Sequence, residues 1–164
     1  MDDLATTFER HVRVGIDTSI FIYHIESFPR YAVVAGAALT ALADGRYAGI
    51  TSVLTLMELA VKPLQLGRPE VADEYELLLG GFPNLSIANV DRLTSRRASE
   101  LRAAYRLRPA DAVQVGTSLR HGATAFLTND RDLRRVKELQ VIVLDDYVSA
   151  RASVLRGRSF LSIH

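Results

Sequence analysis

The chain has 164 residues, 48% of them apolar and 24% charged, a size and balance that suit one compact domain and exclude two full cores. Its 20 Lys plus Arg nearly cancel 19 Asp plus Glu, so no strong overall field draws in nucleic acid and any attraction to a polyanion has to be local. The absence of cysteine excludes disulfides, thiolate metal ligands, cysteine nucleophiles and zinc ribbons, and it fits a cytoplasmic protein.

Residues 1–13 carry Asp2, Asp3 and Glu9 among apolar side chains, which is not the pattern of a secretion signal. No run approaches the eighteen or so apolar residues of a membrane span. The alternation Val12, Val14, Ile16 predicts a short strand ending at Asp17, and Ile20, Phe21, Ile22, Tyr23 and Ile25 predict a helix that stops near Pro29. A second helix is expected from Tyr31 to Ala43, closed by Asp44 and Gly45, then a strand over 47–51. Val53, Leu56, Met57, Leu59 and Ala60 lie at helical spacing from Ser52 up to Pro63, and a further helix runs from Pro69 to about Leu79. Residues 85–88 read as a third strand, 91–107 as a long Arg-rich helix, and Pro109 to about His121 as another helix. Strands over 125–128 and 141–144 complete the order. Alternating short strands and helices predict an α/β fold, a central parallel sheet of about five strands covered by helices on both faces. One domain is expected over 1–164, its core about 12–146 with short extensions at either end.

In such sheets ligands sit outside the carboxyl ends of the strands, near the switch in strand order, and two acids follow strand ends there, Asp17 and Asp130. Each also has a plain explanation as the cap of the next helix. Glu58 is almost the only charged group over two helical turns, whereas a helical Glu usually lies on a solvated face. Asp111 follows Pro109 in the first turn of its helix, where a carboxylate favours the helix dipole without any catalytic duty. Asp132 competes with Asp130. Taken in order, the four acids are expected around one pocket, within roughly 8 Å of one another. Such a cluster is costly to keep ionised unless a cation sits in it. Oxygen-only ligands favour Mg²⁺ or Mn²⁺, which can polarise a phosphodiester and activate water.

The ordered segments Gly15-Ile16-Asp17-Thr18-Ser19, Thr51-Ser52 with Glu58-Leu59, Ala110-Asp111-Ala112 and Leu127-Thr128-Asn129-Asp130 resemble the motifs of PIN-domain nucleases. The toxin branch of VapC-type toxin and antitoxin pairs is similar over most of the chain, and residues 108–133 are the most specific part. The resemblance implies an endoribonuclease dependent on Mg²⁺ or Mn²⁺, often dimeric and silenced by a cognate antitoxin. It also implies that Asp17 and Asp111 ligate the metal, that Asp130 acts directly or through water, and that Glu58 completes the acidic site. Thr128 would set its hydroxyl near the metal water or the scissile phosphate, and Asn129 would orient that turn. A hydroxyl that caps the following helix is the plain alternative for Thr128. The leader 1–13 is longer than compact toxins of the family need, which leaves the subfamily open.

Other features carry less. Arg92, Arg96, Arg102 and Arg106 fall within an arc of roughly 120°, opposite Leu93, Leu101 and Ala104, as an ordinary solvated face does, although such a stripe also suits phosphates or an acidic antitoxin segment. His11, His24, His121 and His164 lack metal-ligand spacing, and Phe21 and Tyr23 read as core rather than as base-stacking groups. An aspartate-nucleophile phosphatase is a weak competitor, because position 19 is Ser and the only lysines are Lys62 and Lys137. A PIN-like fold that binds RNA or protein without catalysis is the other reading. A homodimer is expected because Val33, Val34, Leu39, Leu42, Leu77, Leu78 and Leu79 offer more apolar surface than so small a sheet needs. An antitoxin is expected near the acidic cleft, where a bidentate Arg would suit a group of carboxylates.

Overall fold

The computed structural model describes residues 3–148, so the far part of the expected C-terminal extension and His164 lie outside the described residues. Five strands, β1 (Arg13–Ile16), β2 (Ala48–Ser52), β3 (Leu85–Ala88), β4 (Ala125–Thr128) and β5 (Gln140–Val143), pair in parallel in the order β3-β2-β1-β4-β5. The chain walks outward from β1 to β3, returns beside β1 as β4, and walks outward again. The switch in strand order therefore falls between β1 and β4.

Alternate residues of the strands feed two cores. Val14, Ile16, Ala125, Leu127 and Ile142 pack with α1 (Leu4–Phe8), α2 (Thr18–Ile25) and α3 (Ala32–Ala43). On the opposite face Phe126 and Val141 meet α6 (Arg92–Tyr105) and α7 (Pro109–Arg120) through Ala98, Leu101, Ala112 and Val115. Helices α4 (Val53–Gln65) and α5 (Pro69–Gly80) link β2 to β3. Glycines close both helices in left-handed conformations, Gly45 after α3 as expected, at φ 76°, and Gly122 after α7 at φ 80°, with Arg46 N–H donating to Ala41 O and Ala123 N–H to Ser118 O.

Three features differ from the expectation. Helix α1 had no periodic signal: it buries Leu4, Thr7 and Phe8, and Phe8 packs against Tyr47 at 4.4 Å between centroids, so tertiary contact decides it. Helix α4 passes Pro63 and ends at Gln65, because a proline in the last turn forfeits one bond but permits a short continuation. The buried stripe of α6 is Thr94, Ala98 and Leu101, while Leu93 is 63% exposed, so the anticipated inner side is rotated. Close packing on α7 sets that rotation, since a Cβ on Gly116 would lie 3.3 Å from Ala98 N.

Gly15 lets α7 press on the middle of the sheet. A Cβ there would come within 2.6 Å of Phe126 Cδ2 and of Ser118 Cβ, and closer still to Ser118 Oγ. Gly15→Ala is expected to destabilise the fold by about 3 kcal/mol or more, because backbone and helix would both have to move. Gly80→Ala, where a Cβ meets nothing, is expected to be neutral or stabilising by up to ~1 kcal/mol. Urea denaturation of both variants checks the contrast.

Candidate active site

The register of β1 and β4 sets Ile16 beside Leu127, and Asp17 N–H donates to Leu127 O at 2.9 Å, so both strands end together at the switch point. Asp17 sits at the cap position of α2 yet makes no side-chain cap bond. Its Oδ2 instead accepts from Thr128 Oγ1 at 2.7 Å and from Ser19 Oγ at 3.1 Å. Thr128 Oγ1 also accepts from Asp130 N–H at 3.1 Å, so one buried hydroxyl ties the acid of β1 to the turn after β4. Asn129 braces that turn, donating to Tyr23 Oη at 3.2 Å and accepting Asp145 N–H at 2.9 Å.

Asp130 does cap, because Oδ1 accepts Asp132 N–H at 2.9 Å at the start of the 3-10 turn Arg131–Arg135. Its Oδ2 faces Arg108, whose Nη2 lies at 3.1 Å, while Arg108 Nε donates to Asp111 Oδ2 at 2.8 Å. Asp17, Asp111, Asp130 and Asp132 line one open cleft of about 610 Å³ with Ser19, Tyr23, Arg108, Asn129 and Arg135.

Glu58 lies next door. It lines a separate cavity of about 350 Å³ with Glu26, Lys62 and Tyr75, not the cleft of the other acids. Its carboxylate reaches back to the site through Thr18, whose Oγ1 is 3.1 Å from Oε1. Behind Thr18 runs a buried polar chain: Thr18 Oγ1 to Thr55 Oγ1 at 2.9 Å, Thr55 to Thr51 at 2.7 Å, and Thr51 donating to Ile16 O at 2.9 Å. Gln114 of α7 closes it, its Nε2 donating to Thr18 and Thr55 at 3.2 and 2.8 Å while its Oε1 accepts from the backbone N–H and hydroxyl of Ser52.

Burial pushes the Asp17 carboxyl above the usual carboxylate range, and nearby Asp111 adds to the effect, while bonds from Thr128 and Ser19 work against it. Asp17 is partly accessible at the cleft floor but crowded by protein on its other sides. Glu58 is likewise raised, first by burial and then by the charges of Asp17 and Asp111, against the opposing bond from Thr18. These are anionic oxygen donors at a strand end, which is the chemistry a hard divalent cation takes. Among the described residues no three carboxylates or imidazoles converge closely enough to hold a metal ion as they stand. The positive group that Asp111 and Asp130 share is Arg108.

Four residues around the acids escaped the sequence reading. Arg108 carries no local signal and Ser19 enters only as part of its motif, with no role of its own, whereas Gln114 and Ser118 stand three and seven positions after Asp111 and so share its helix face, a pattern that marks a buried polar stripe. Arg92, Arg96 and Arg102 of α6 are exposed and partly spoken for, Arg96 by Glu100 and Arg102 by Leu107 O, while Arg97 is half-buried between Glu100 and Glu138. His11 bridges Thr124 and Gln140, and His121 Nδ1 donates to Thr117 O. Tyr23 packs at a tilt against Tyr31 and Phe28 and lines the cleft.

A doubly wound parallel sheet with acids on both sides of its switch point defines the general class of this molecule. The PIN domain family model matches residues 14–139, and the chain belongs to that family. A search of the curated proteins finds no match. Among solved structures, a chain of VapBC2 from Rickettsia felis bound to a promoter DNA fragment is similar at 18% identity and TM-score 0.64, covering 80% of this chain and 98% of that one. A chain of DNA-bound VapBC from Salmonella typhimurium is similar at 19% identity and TM-score 0.62, covering 81% and 98%. A chain of a toxin-antitoxin complex from Klebsiella pneumoniae is similar at 23% identity and TM-score 0.59, covering 80% and 97%. At these identities the likeness is one of fold.

With Asp17 and Glu58 raised, the folded protein holds more protons than the unfolded chain between the ordinary carboxylate value, about 4, and the raised ones. Stability of the metal-free protein therefore falls as pH rises through that window. The contribution of these two groups is fully present on the acid side of the window, and Asp91 and Asp145, whose values are lowered, work against it as they take up protons in turn. Asp17→Asn is expected to raise the metal-free Tm at neutral pH by a few degrees and to flatten the gain seen on acidifying towards about pH 5. Scanning calorimetry in EDTA measures both. A lower Tm for the variant at neutral pH would contradict the assignment of strain to this carboxylate.

Proposed function

We propose that the protein is a metal-dependent endoribonuclease, single-domain over 1–164 and cytoplasmic, and the toxin of a type II toxin-antitoxin pair. The observation that carries the reading is Asp17 at the switch point, held by Thr128 and sharing a cleft with Asp111 and Asp130, in a chain of the PIN domain family. In this reading Asp17 and Asp111 ligate Mg²⁺ or Mn²⁺, and Asp130 does so directly or through water. The cation supplies charge at the scissile phosphate and an activated water. Thr128 orients the Asp17 carboxylate and Asn129 holds the turn that carries Asp130. Glu58 completes the acidic set from behind Thr18, adding negative charge that strengthens cation binding without lining the cleft.

The partner reading draws on the solved neighbours, one a toxin-antitoxin complex and two VapBC assemblies bound to DNA. Among the described residues no helix is long and apolar enough to cross a membrane. For the homodimer, three of the seven side chains singled out by sequence, Val33, Leu77 and Leu78, are exposed, whereas Val34, Leu39, Leu42 and Leu79 are buried. Met57, Val61, Leu64 and Leu66 extend the apolar surface on α4 and the turn after it. A binding module without catalysis is favoured by one observation, the arginine on Asp111 and Asp130.

Purified protein incubated with mixed RNA is expected to cleave in Mg²⁺ or Mn²⁺ and not in EDTA. Asp17→Asn and Asp111→Asn are expected to abolish cleavage, and Thr128→Ala to reduce it by roughly 10–100-fold through the loosened ligand. Cleavage by Asp17→Asn at the wild-type rate would refute the site; inactivity of the wild type in both metals would favour the binding module.

Light scattering is expected to give twice the chain mass, and the product of the adjacent reading frame is expected to suppress cleavage. A strict monomer, or undiminished cleavage, would remove the corresponding partner from the reading.

A further inference from the structure

We propose that Arg108 is a phosphate-binding residue for the RNA strand, parked on Asp111 and Asp130 until a divalent cation displaces it. The proposal rests on the nuclease reading of the cleft and adds to it an exchange: the cation takes the carboxylates, and the freed guanidinium takes the substrate.

Arg108 uses two different nitrogens on two carboxylates from separate elements, Nε on Asp111 of α7 and Nη2 on Asp130 after β4. Its backbone is pinned, since it precedes Pro109 in an extended conformation at φ −64° and ψ 152°. Its side chain is 76% exposed, so the two ion pairs are what hold it over the acids. Exposed pairs of this kind are weak, and a divalent cation on the same carboxylates outcompetes them. Once displaced, the guanidinium stays within side-chain reach of the lip of the cleft, because the backbone that carries it is held extended ahead of Pro109. A phosphodiester there presents two non-bridging oxygens, the geometry that a guanidinium fork binds with two parallel hydrogen bonds.

The surrounding charges single out this residue. Four aspartates on the cleft repel a polyanion, so the strand needs cations at the rim. Arg131 and Arg134 pair with Asp145 and Asp146, and Arg30 with Asp145, carboxylates that do not line the cleft and that a cation bound there would not take from them. Arg135 lines the same cleft, is exposed and has no ion-pair partner among the described residues. It forms a standing cationic contact, whereas Arg108 becomes available only on metal binding. RNA affinity should therefore depend on the cation through Arg108.

The test measures binding rather than turnover. Mn²⁺ is titrated calorimetrically into the wild type, Arg108→Gln, Arg108→Lys and Arg135→Gln. A labelled single-stranded RNA of mixed sequence is then titrated by fluorescence anisotropy in EDTA and in Ca²⁺ over a series of salt concentrations. Arg108→Gln is expected to bind Mn²⁺ roughly fivefold more tightly than the wild type, having no internal cation to displace. With Ca²⁺ present it should bind RNA more weakly, its log–log salt slope shallower by about 0.7, the value of one single-strand phosphate contact. Arg108→Lys, which reaches one carboxylate at a time, should fall between. Arg135→Gln should weaken RNA binding and leave Mn²⁺ affinity unchanged. If Arg108→Gln matches the wild type in Mn²⁺ affinity and salt slope while Asp17→Asn abolishes cleavage, the exchange is overturned and the nuclease reading stands. If neither the wild type nor any variant binds Mn²⁺, both fall together.

Discussion

The absence of a side chain at Gly15 controls where the chemistry can be. Helix α7 rests on the centre of the sheet with Ser118 against that glycine, and its N-terminal turn is thereby carried to the strand ends. Asp111 and Arg108 reach the cleft because the rest of α7 lies so low. Gly116 repeats the device on the other side of the helix, letting α6 seat its backbone at Ala98. Two missing Cβ atoms thus stack three layers tightly enough for residues of α7, β1 and β4 to share one pocket. A helix one side chain higher would leave Gln114 short of Thr18 and Thr55, and the acids would lose both their neighbour and their frame.

Once the acids are together, their repulsion has to be offset locally. The protein uses a different device at each carboxylate. Asp17 receives two hydroxyl donors, from Thr128 and Ser19, which stabilise charge without contributing any of their own. Asp130 spends one oxygen on the cap of the turn that follows it. Asp111 and Asp130 then share a full positive charge through Arg108. These devices differ in permanence. The hydroxyls and the cap belong to buried or backbone-anchored groups, whereas the arginine is held only by the pairs themselves, so it is the component that can be exchanged without disturbing the fold.

The elements legible in the sequence were those whose local and tertiary preferences agree. The strand over 125–128 and the helix of Pro109 followed by Gly122 appear where periodicity and caps put them. Helix α1 was illegible, because five residues carry no period and only the pocket beside Tyr47 orders them. At the site, the residue types of Asp17, Asp111 and Asp130 were readable from motif and strand ends, and one cleft holds all three. Glu58 shows what the pattern lacked. Its isolation among apolar neighbours set it apart from the usual solvated helical Glu, but sequence spacing says nothing about whether a helical acid reaches a pocket directly or through a hydroxyl. Arg108 was hidden for a related reason: a lone arginine before a proline reads as surface until the fold brings Asp130 within reach.

The hydroxyl chain gives the position of Glu58 a further meaning, because each threonine owns a single proton. Thr51 gives its proton to Ile16 O, so Thr55 has to supply the bond between them. Thr18 then has one proton for two neighbours, Thr55 and Glu58. If Glu58 is ionised, one of those two contacts is left without a proton. If Glu58 is neutral, its own O–H serves Thr18, Thr18 serves Thr55, and the chain runs in one direction to the backbone, with both Gln114 amide protons still placed on Thr18 and Thr55. Burial and the charges of Asp17 and Asp111 press in the same direction, while a bond donated by Thr18 to the ionised form opposes them. A cation in the cleft would weaken that pressure by offsetting the two aspartates. The charge of Glu58 is thus coupled, through the field of Asp17 and Asp111, to occupancy of a cleft it does not line.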